Sequence, residues 1–304
     1  MVNTLRNLLP IMLWCAAGWL HAQDLTLAPK WKRDDLRTMY VSHTQTFQDP
    51  EGNDTTITYR TSSKVKVYDL SPEKALISID HENVLFPLIR AYFPGMLPTE
   101  LEPYKRMIIR YEVDRTSGES RLLNAADLQQ FAQRPAEIAV RVVRREDANT
   151  AAMLEQQLAP LVARFTDQEM ITQYFDQWFG FLTVAFGKPL QRGNPIEMEI
   201  VQADPFHAGD SIAVNTSIEL KDHSSDKATV HVTRNLGDRM LAAGGSGKGK
   251  AVRANDAVHL TGWQQERTVV LDTKTTWPTN ANMITRVSLS DGNKATEEIT
   301  IDIR

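Results

Sequence analysis

The sequence predicts an α+β fold: a strongly curved antiparallel sheet, an open or near-closed barrel, made from N- and C-terminal strand blocks and wrapped around a central helical insertion. Three observations predict it. Apolar residues recur at every second position from about Leu36 to Asp114, the period breaks between Asn124 and Gly187, and alternation resumes after Pro195. Period two with polar residues on the other parity marks strands buried on one face. Such strands need a cover, and the middle segment is the one apolar enough to give it. A long antiparallel sheet twists and coils, so it is expected to curl around its cover. The layout is therefore a signal segment over 1–22 and one domain over 23–304, with strands in 36–114, a helical insert in 124–187 and strands in 195–304. Two domains cut near Pro189 is the competing layout.

The chain opens with Arg6 in a short polar start, an apolar run from Leu8 to Leu20 and a small residue, Ala22. The run is shorter than the ~20 residues of a membrane-crossing helix, and the three parts in this order read as a cleaved secretory signal. Trp14 before Cys15 does not suit lipidation. Cys15 is the sole cysteine and leaves with the signal. The mature chain then has no disulfide and no thiolate chemistry, and apolar packing alone holds it together.

In the first strand block, Met39, Val41 and Phe47 oppose Tyr40, Ser42, Thr44 and Thr46, and Ile57, Tyr59, Val65 and Val67 oppose Thr58, Arg60, Lys64 and Lys66. Ile77 and Ile79 follow, then Met107, Ile109, Tyr111 and Val113. Turn residues separate the runs at Asp49–Asn53, Ser71–Glu73 and Thr116–Gly118. The segment Phe86–Pro103, with four prolines, reads as a structured loop holding one helical turn.

From Asn124 the spacing turns helical. Asn124 is placed to cap a helix through Gln133, Pro135 to start another at Ala136, and Asn149 or Thr150 to cap a third that bends at Pro160. Ile138, Val140 and Val142 also fit a strand. Thr166-Asp167-Gln168-Glu169 is a capping box, and its helix is expected to run to about Phe186, closed by Gly187 and Pro189. Strands then return in Ile196–Ile200, Ile212–Ile218, Val230–Val232, Thr268–Leu271 and Ile284–Leu289, and Ser290-Asp291-Gly292-Asn293 turns the chain into Ile299, Ile301 and Ile303.

The net charge of -4 gives no footprint for nucleic acid. Chemical motifs fail one by one. Gly244–Lys250 has Ala242 in place of the first Walker glycine and Gly249 in place of the hydroxyl residue, which leaves a hairpin tip. Ser224-Ser225-Asp226-Lys227 matches Ser-x-x-Lys but sits in a turn rather than on a helix, without partner motifs. Asp80-His81-Glu82 begins like a zinc-protease helix but has Leu85 where the second histidine belongs; it reads as a strand end, with a loose metal cluster as the minor alternative. Asp49–Asp54 has calcium-loop composition, but Arg60 stands where the bidentate glutamate is needed. No metal, cofactor or catalytic residue is expected.

The informative stretch is Tyr174, Phe175, Trp178, Phe179, Phe181, Leu182 and Phe186. Aromatics this dense cover a wider stripe than a surface helix needs. They form the filling of the curled sheet, and the sharper reading makes them the wall of an apolar ligand site. Asp176 interrupts the run, which is too short to span a membrane.

The exported start, Tyr111–Asp114 with Ser117-Gly118-Glu119 and Leu122-Leu123-Asn124, the helical middle, and Asp204–Ser211 together resemble an uncharacterised family of secreted, Bacteroidetes-type envelope proteins. Ile212 departs from that family's pattern, where a tryptophan is frequent. The resemblance implies a compartment and a fold, and the fold in turn is similar in outline to envelope lipoprotein carriers. The expected function is a non-enzymatic exported protein, periplasmic, outer-membrane-associated or secreted, that binds a lipid or acyl chain between sheet and aromatic helix. The alternative is a structural or interaction module with a solid core and an envelope protein as partner, working through the outer strand face or the loop around Pro94 and Pro98. A hydrolase would need a pocket that unites a serine with a histidine.

Overall fold

The computed structural model describes residues 25–93, 97–163, 165, 168–203, 211–241 and 260–304. The expected signal segment over 1–22, Pro94, the Thr166-Asp167 half of the expected capping box, residues 204–210 and the glycine-rich stretch 244–250 lie outside them.

The two strand blocks form one antiparallel sheet of eleven strands, ordered β5-β4-β3-β2-β1-β11-β10-β9-β8-β7-β6. The first block holds β1 (Leu36–Gln48), β2 (Asp54–Leu70), β3 (Lys74–Glu82), β4 (Arg106–Asp114) and β5 (Ser120–Leu122). The second holds β6 (Ile196–Ala203), β7 (Ser211–His223), β8 (Lys227–Leu241), β9 (Leu260–Asp272), β10 (Pro278–Leu289) and β11 (Lys294–Ile303). The seam between the blocks is β1 against β11, in register from Met39 opposite Ile303 to Gln48 opposite Lys294. The sheet is not closed: β5 and β6 are its edges. The helices leave the chain after one edge strand and return it to the other.

Alternation sets the faces. On β3, Ala75, Ile77, Ile79 and His81 are buried while the residues between them are not, and Met107, Ile109, Tyr111 and Val113 do the same on β4. The turns follow their chemistry: Gly52 and Gly292 have φ of 90° and 89°, and Asp49 Oδ1 accepts the Asn53 amide at 2.7 Å.

The helices are α1 (Phe86–Tyr92), α2 (Ala125–Arg144), α3 (Ala148–Ala163) and α4 (Gln168–Phe179), with short 3₁₀ turns at Thr99–Tyr104 and Gly180–Leu182. Several differ from expectation. The proline-rich loop holds two helical pieces rather than one. Pro135 does not start a helix; α2 runs through it, with Pro135 itself buried. It packs on β4, α3 and α4, and this packing outweighs one missing amide. The strand alternative for Ile138–Val142 falls with it. Asn124 is no cap: its side chain accepts from the Arg110 amide and donates to the Ile108 carbonyl. The cap of α3 is Asp147, which takes the Asn149 amide and the Thr150 hydroxyl. The aromatic helix ends at Phe179, so Phe181, Leu182 and Phe186 lie beyond it.

Gly187 shows why the chain turns there. Its φ is +67°, and a Cβ would stand 2.3 Å from the Ser117 carbonyl oxygen. Gly118, at φ +74°, meets Phe186 the same way. The two glycines let the β4–β5 turn and the segment after α4 touch backbone to backbone. Leu25 and Leu27 bridge to Leu190 and Phe186, and Trp31 stacks on Trp277 at 4.8 Å.

Candidate functional site

All seven aromatic-stretch residues lie in or against the main core. Phe175, Trp178, Phe179, Phe181, Leu182 and Phe186 are buried, and Tyr174 is half-buried against them. Tyr174 and Phe175 pack around Phe165, Phe179 stacks on Phe175, and Phe186 meets Trp31 edge-on. Trp178 reaches furthest into the sheet, edge-on to His43 on β1 at 5.2 Å and tilted against His81 on β3. No described cavity borders all seven. One gap of about 10 Å³ borders Trp178, Phe181, Arg267 and Met283, and another of about 10 Å³ borders Tyr111, Asp176, Phe179 and Leu182. Each is the size of one water molecule.

The rest of the helix-facing side is banded. Register places Val41, Ile301, Ala281, Val269, Val230 and Leu220 side by side across six strands, an apolar row. Four residues away along each strand, past the mixed row that holds His43, Met283 and Arg267, runs a wholly polar row of Gln45, Glu297, Thr285, Gln265, Arg234 and Thr216. It spans five strand steps, about 24 Å along the sheet. Beyond it the surface is apolar again. Ile212, Val214, Leu260 and Trp263 are buried together, with Leu236, Val287 and Leu289 against them, a second cluster drawn wholly from β7–β10.

A row that is half-buried to buried needs partners, and some come from the row itself. Gln265 Nε2 donates to Thr285 Oγ1 at 3.2 Å, Gln45 Nε2 to Glu297 Oε1 at 3.4 Å, and Arg267 Nη2 to Gln265 Oε1 at 3.5 Å. His43 Nδ1 bonds the Tyr59 hydroxyl; its Nε2 lies 2.7 Å from Glu297 Oε1, out of line for a hydrogen bond. Among the described residues, Thr216 Oγ1 and Arg234 Nε are buried with no hydrogen-bond partner.

Asp176 of α4 faces this row. Burial pushes its carboxyl up to about 6, against the opposing pull of Tyr111, Arg234 and Arg267. Burial in turn lowers Arg234, and burial with Arg234 beside it brings Arg267 down to about 9; both remain cations at neutral pH. The Tyr111 hydroxyl is raised by burial and by Asp176, which it faces without closing a hydrogen bond of ordinary geometry. Two guanidiniums and one carboxylate thus share a low-dielectric interior.

Other candidates resolve plainly. Ser63 Oγ is 2.6 Å from His81 Nδ1, yet both are buried, at 0% and 3% exposure. His81 points inward while Asp80 and Glu82 point outward to Arg106 and Arg90, so strand alternation takes the triplet apart as a metal cluster. Ser224 sits in the β7–β8 turn, its backbone paired with Lys227. The roomiest groove among those described, about 630 Å³, lies between α2 and α3; Ala136, Val140 and Leu158 line it, and the Arg144–Glu155 pair at 2.7 Å lies on its rim.

Sequence reasoning named Asp176 only as an interruption and missed Arg234, Arg267 and Thr216. The signal was parity: Arg234 follows Val230 and Val232, and Arg267 precedes Val269 and Leu271, each a cation at an apolar position. No protein-family model matches the chain, and no curated protein does.

Proposed function

We propose that the protein is exported and non-enzymatic, and that its sheet curls around the helical insertion as an open half-barrel holding an apolar molecule, a lipid or acyl chain, beside Trp178. Asp176 supports the curl. It interacts with Tyr111 on β4 and with Arg234 on β8, seven strand steps apart in the sheet order. In a flat sheet those strands stand about 34 Å from each other, beyond the reach of one side chain. Export is supported by the basic, apolar and small residues in sequence at the N-terminus.

The observation that carries the ligand reading is the second apolar cluster. It shares a face with the helical core, and among the described residues its members come from β7–β10. On the same side, Phe47 and Ile57 are 47% and 51% exposed, an apolar lip that core packing does not require. Ser63 and His81 lie beneath Trp178 and Phe179, which supports a role without catalysis. Native mass spectrometry of protein purified from the exported fraction tests the reading. A co-purified lipid mass, or uptake of palmitic acid on titration, is expected; a clean apo mass with no uptake overturns it.

A second reading, an interaction module for an envelope protein, is favoured by the tight aromatic packing, in which the two described gaps are water-sized. It predicts no lipid uptake and unchanged behaviour when Phe47 and Ile57 are made polar.

A further inference from the structure

We propose that the edge strand β6 is a docking rail for an extended segment of another protein, one that adds a strand antiparallel to β6 and carries basic residues at alternate positions. The proposal goes beyond the ligand reading, which concerns the inside of the curl, and does not depend on it.

The two edges of the sheet are built differently. β5 is three residues long, and the chain enters α2 within three residues of it, so that edge offers little backbone to a neighbour. β6 runs for eight residues, Ile196–Ala203, and pairs with β7 along its whole length. Among the described residues, no backbone hydrogen bond reaches β6 from any other segment. Alternate amides and carbonyls of an edge strand point away from its sheet, and one more strand satisfies them.

The side chains along this rail say what the added strand carries. Glu197 and Glu199 stand exposed on the outer face, opposite the uncharged Ser217 and Asn215 of β7. Among the described residues, neither carboxylate has an ion pair or a side-chain hydrogen bond. Val201, next on the same face, is 54% exposed. On the helix-facing side Ile196 and Met198 lie half-buried against the core, and Ile200 is half-buried beyond them. Read antiparallel, from Val201 back to Glu197, the matching strand is apolar, apolar, basic, apolar, basic.

A second copy of this chain is a poor occupant. Two β6 strands laid antiparallel bring Glu197 and Glu199 of both copies into one seam, where like charges are destabilising. The glutamates thus close the edge to self-association and leave it open to a cationic strand.

Two fluorescein-labelled peptides test this on the full chain purified from the exported fraction: one with the core Thr-Val-Leu-Lys-Val-Lys-Thr, and its twin with both lysines replaced by glutamate. Fluorescence anisotropy is expected to show the lysine peptide binding at least about tenfold tighter than its twin, with the difference shrinking as salt is added. Hydrogen exchange is expected to slow at amides within Ile196–Val201 when the lysine peptide is bound. Glu197→Lys combined with Glu199→Lys, confined to exposed positions, is expected to reverse the preference, so that the glutamate twin binds the tighter. Equal binding of the two peptides, binding of neither, or binding without protection of β6 overturns the proposal. A concentration-dependent dimer in sedimentation that protects β6 without peptide also overturns it, by making a second copy the occupant. Uptake of palmitic acid is read separately, so either reading can fail while the other stands.

Discussion

Ser63 Oγ lies 2.6 Å from Nδ1 of His81, and the pair is sealed on the helix-facing side of the sheet under Trp178 and Phe179. The distance suits a nucleophile and its base, but a nucleophile needs an approach for substrate and a base a pKa near the working pH. Burial, with the charge of Arg106 adding to it, holds His81 at about 4. The bond is structural: it satisfies two buried groups on adjacent strands. A serine-directed fluorophosphonate is expected to leave the folded protein unlabelled. Ser63→Ala is expected to cost about 1–3 kcal/mol in urea unfolding by orphaning the imidazole; labelling at Ser63 would refute the structural role.

The same histidine makes the fold acid-sensitive. Its folded pKa is depressed below the ordinary 6.5 to about 4, so the neutral ring favours the folded state. That contribution is fully present above pH 6.5 and drains away as the pH falls toward 4, up to about 3 kcal/mol in all. His81→Gln keeps an acceptor for Ser63 and removes the proton site. Its urea midpoint should fall less steeply than that of the parent protein between pH 6.5 and 4, and parallel curves would show that His81 carries no such linkage.

Trp31 ties the segment before β1 to both distant parts of the chain. It stacks on Trp277 at the start of β10 and meets Phe186 edge-on at 5.6 Å. Trp31→Ala is expected to cost about 3–5 kcal/mol and to lower one cooperative transition seen by both far-UV circular dichroism and aromatic fluorescence. Two separated transitions would instead divide the chain near Pro189.

The glycines at the backbone crossing supply a comparison free of side-chain chemistry. Gly193 has φ +74° with nothing within 4 Å of a Cβ, while Gly187, at nearly the same φ, faces the Ser117 carbonyl oxygen at 2.3 Å. Gly193→Ala should cost about 1–2 kcal/mol, the strain of a left-handed residue alone. Gly187→Ala adds a steric term of about 1–3 kcal/mol because backbone must move. Equal thermal shifts for the two would show that the crossing is loose.

Strand alternation was legible because each strand states its own period: the parity of Met39, Val41 and His43 on β1, or Ile299, Ile301 and Ile303 on β11, is local. The β1–β11 seam, and with it the polar row, was not, because Gln45 and Glu297 are 252 positions apart and only register makes them neighbours. Helix ends failed for a different reason. Pro135 and Asn124 carry strong local signals, but α2 is held by its contacts with β4 and α3, and tertiary packing outweighed both. The apolar character of the aromatic stripe was legible because its residues are neighbours in the chain; the charges facing Asp176 were not, since they come from β8 and β9.

Asp176 responds to pH with the opposite sign from His81. Its folded pKa is raised from 3.8 to about 6 because burial penalises the carboxylate more than Tyr111, Arg234 and Arg267 favour it. Protonation in the folded state therefore contributes stability that is present below pH 3.8 and lost as the pH rises through 6. At neutral pH the ionised carboxylate is a burden on the fold, of about 3 kcal/mol at most. Asn at this position keeps the shape and most of the hydrogen-bonding capacity without the charge. Asp176→Asn should accordingly raise the melting temperature at pH 7.5, with the advantage shrinking through pH 6 and gone by about pH 4. The contrary result is equally informative. If Asp176→Asn melts earlier at pH 7.5, the pairing of the carboxylate with Arg234 and Arg267 outweighs its burial.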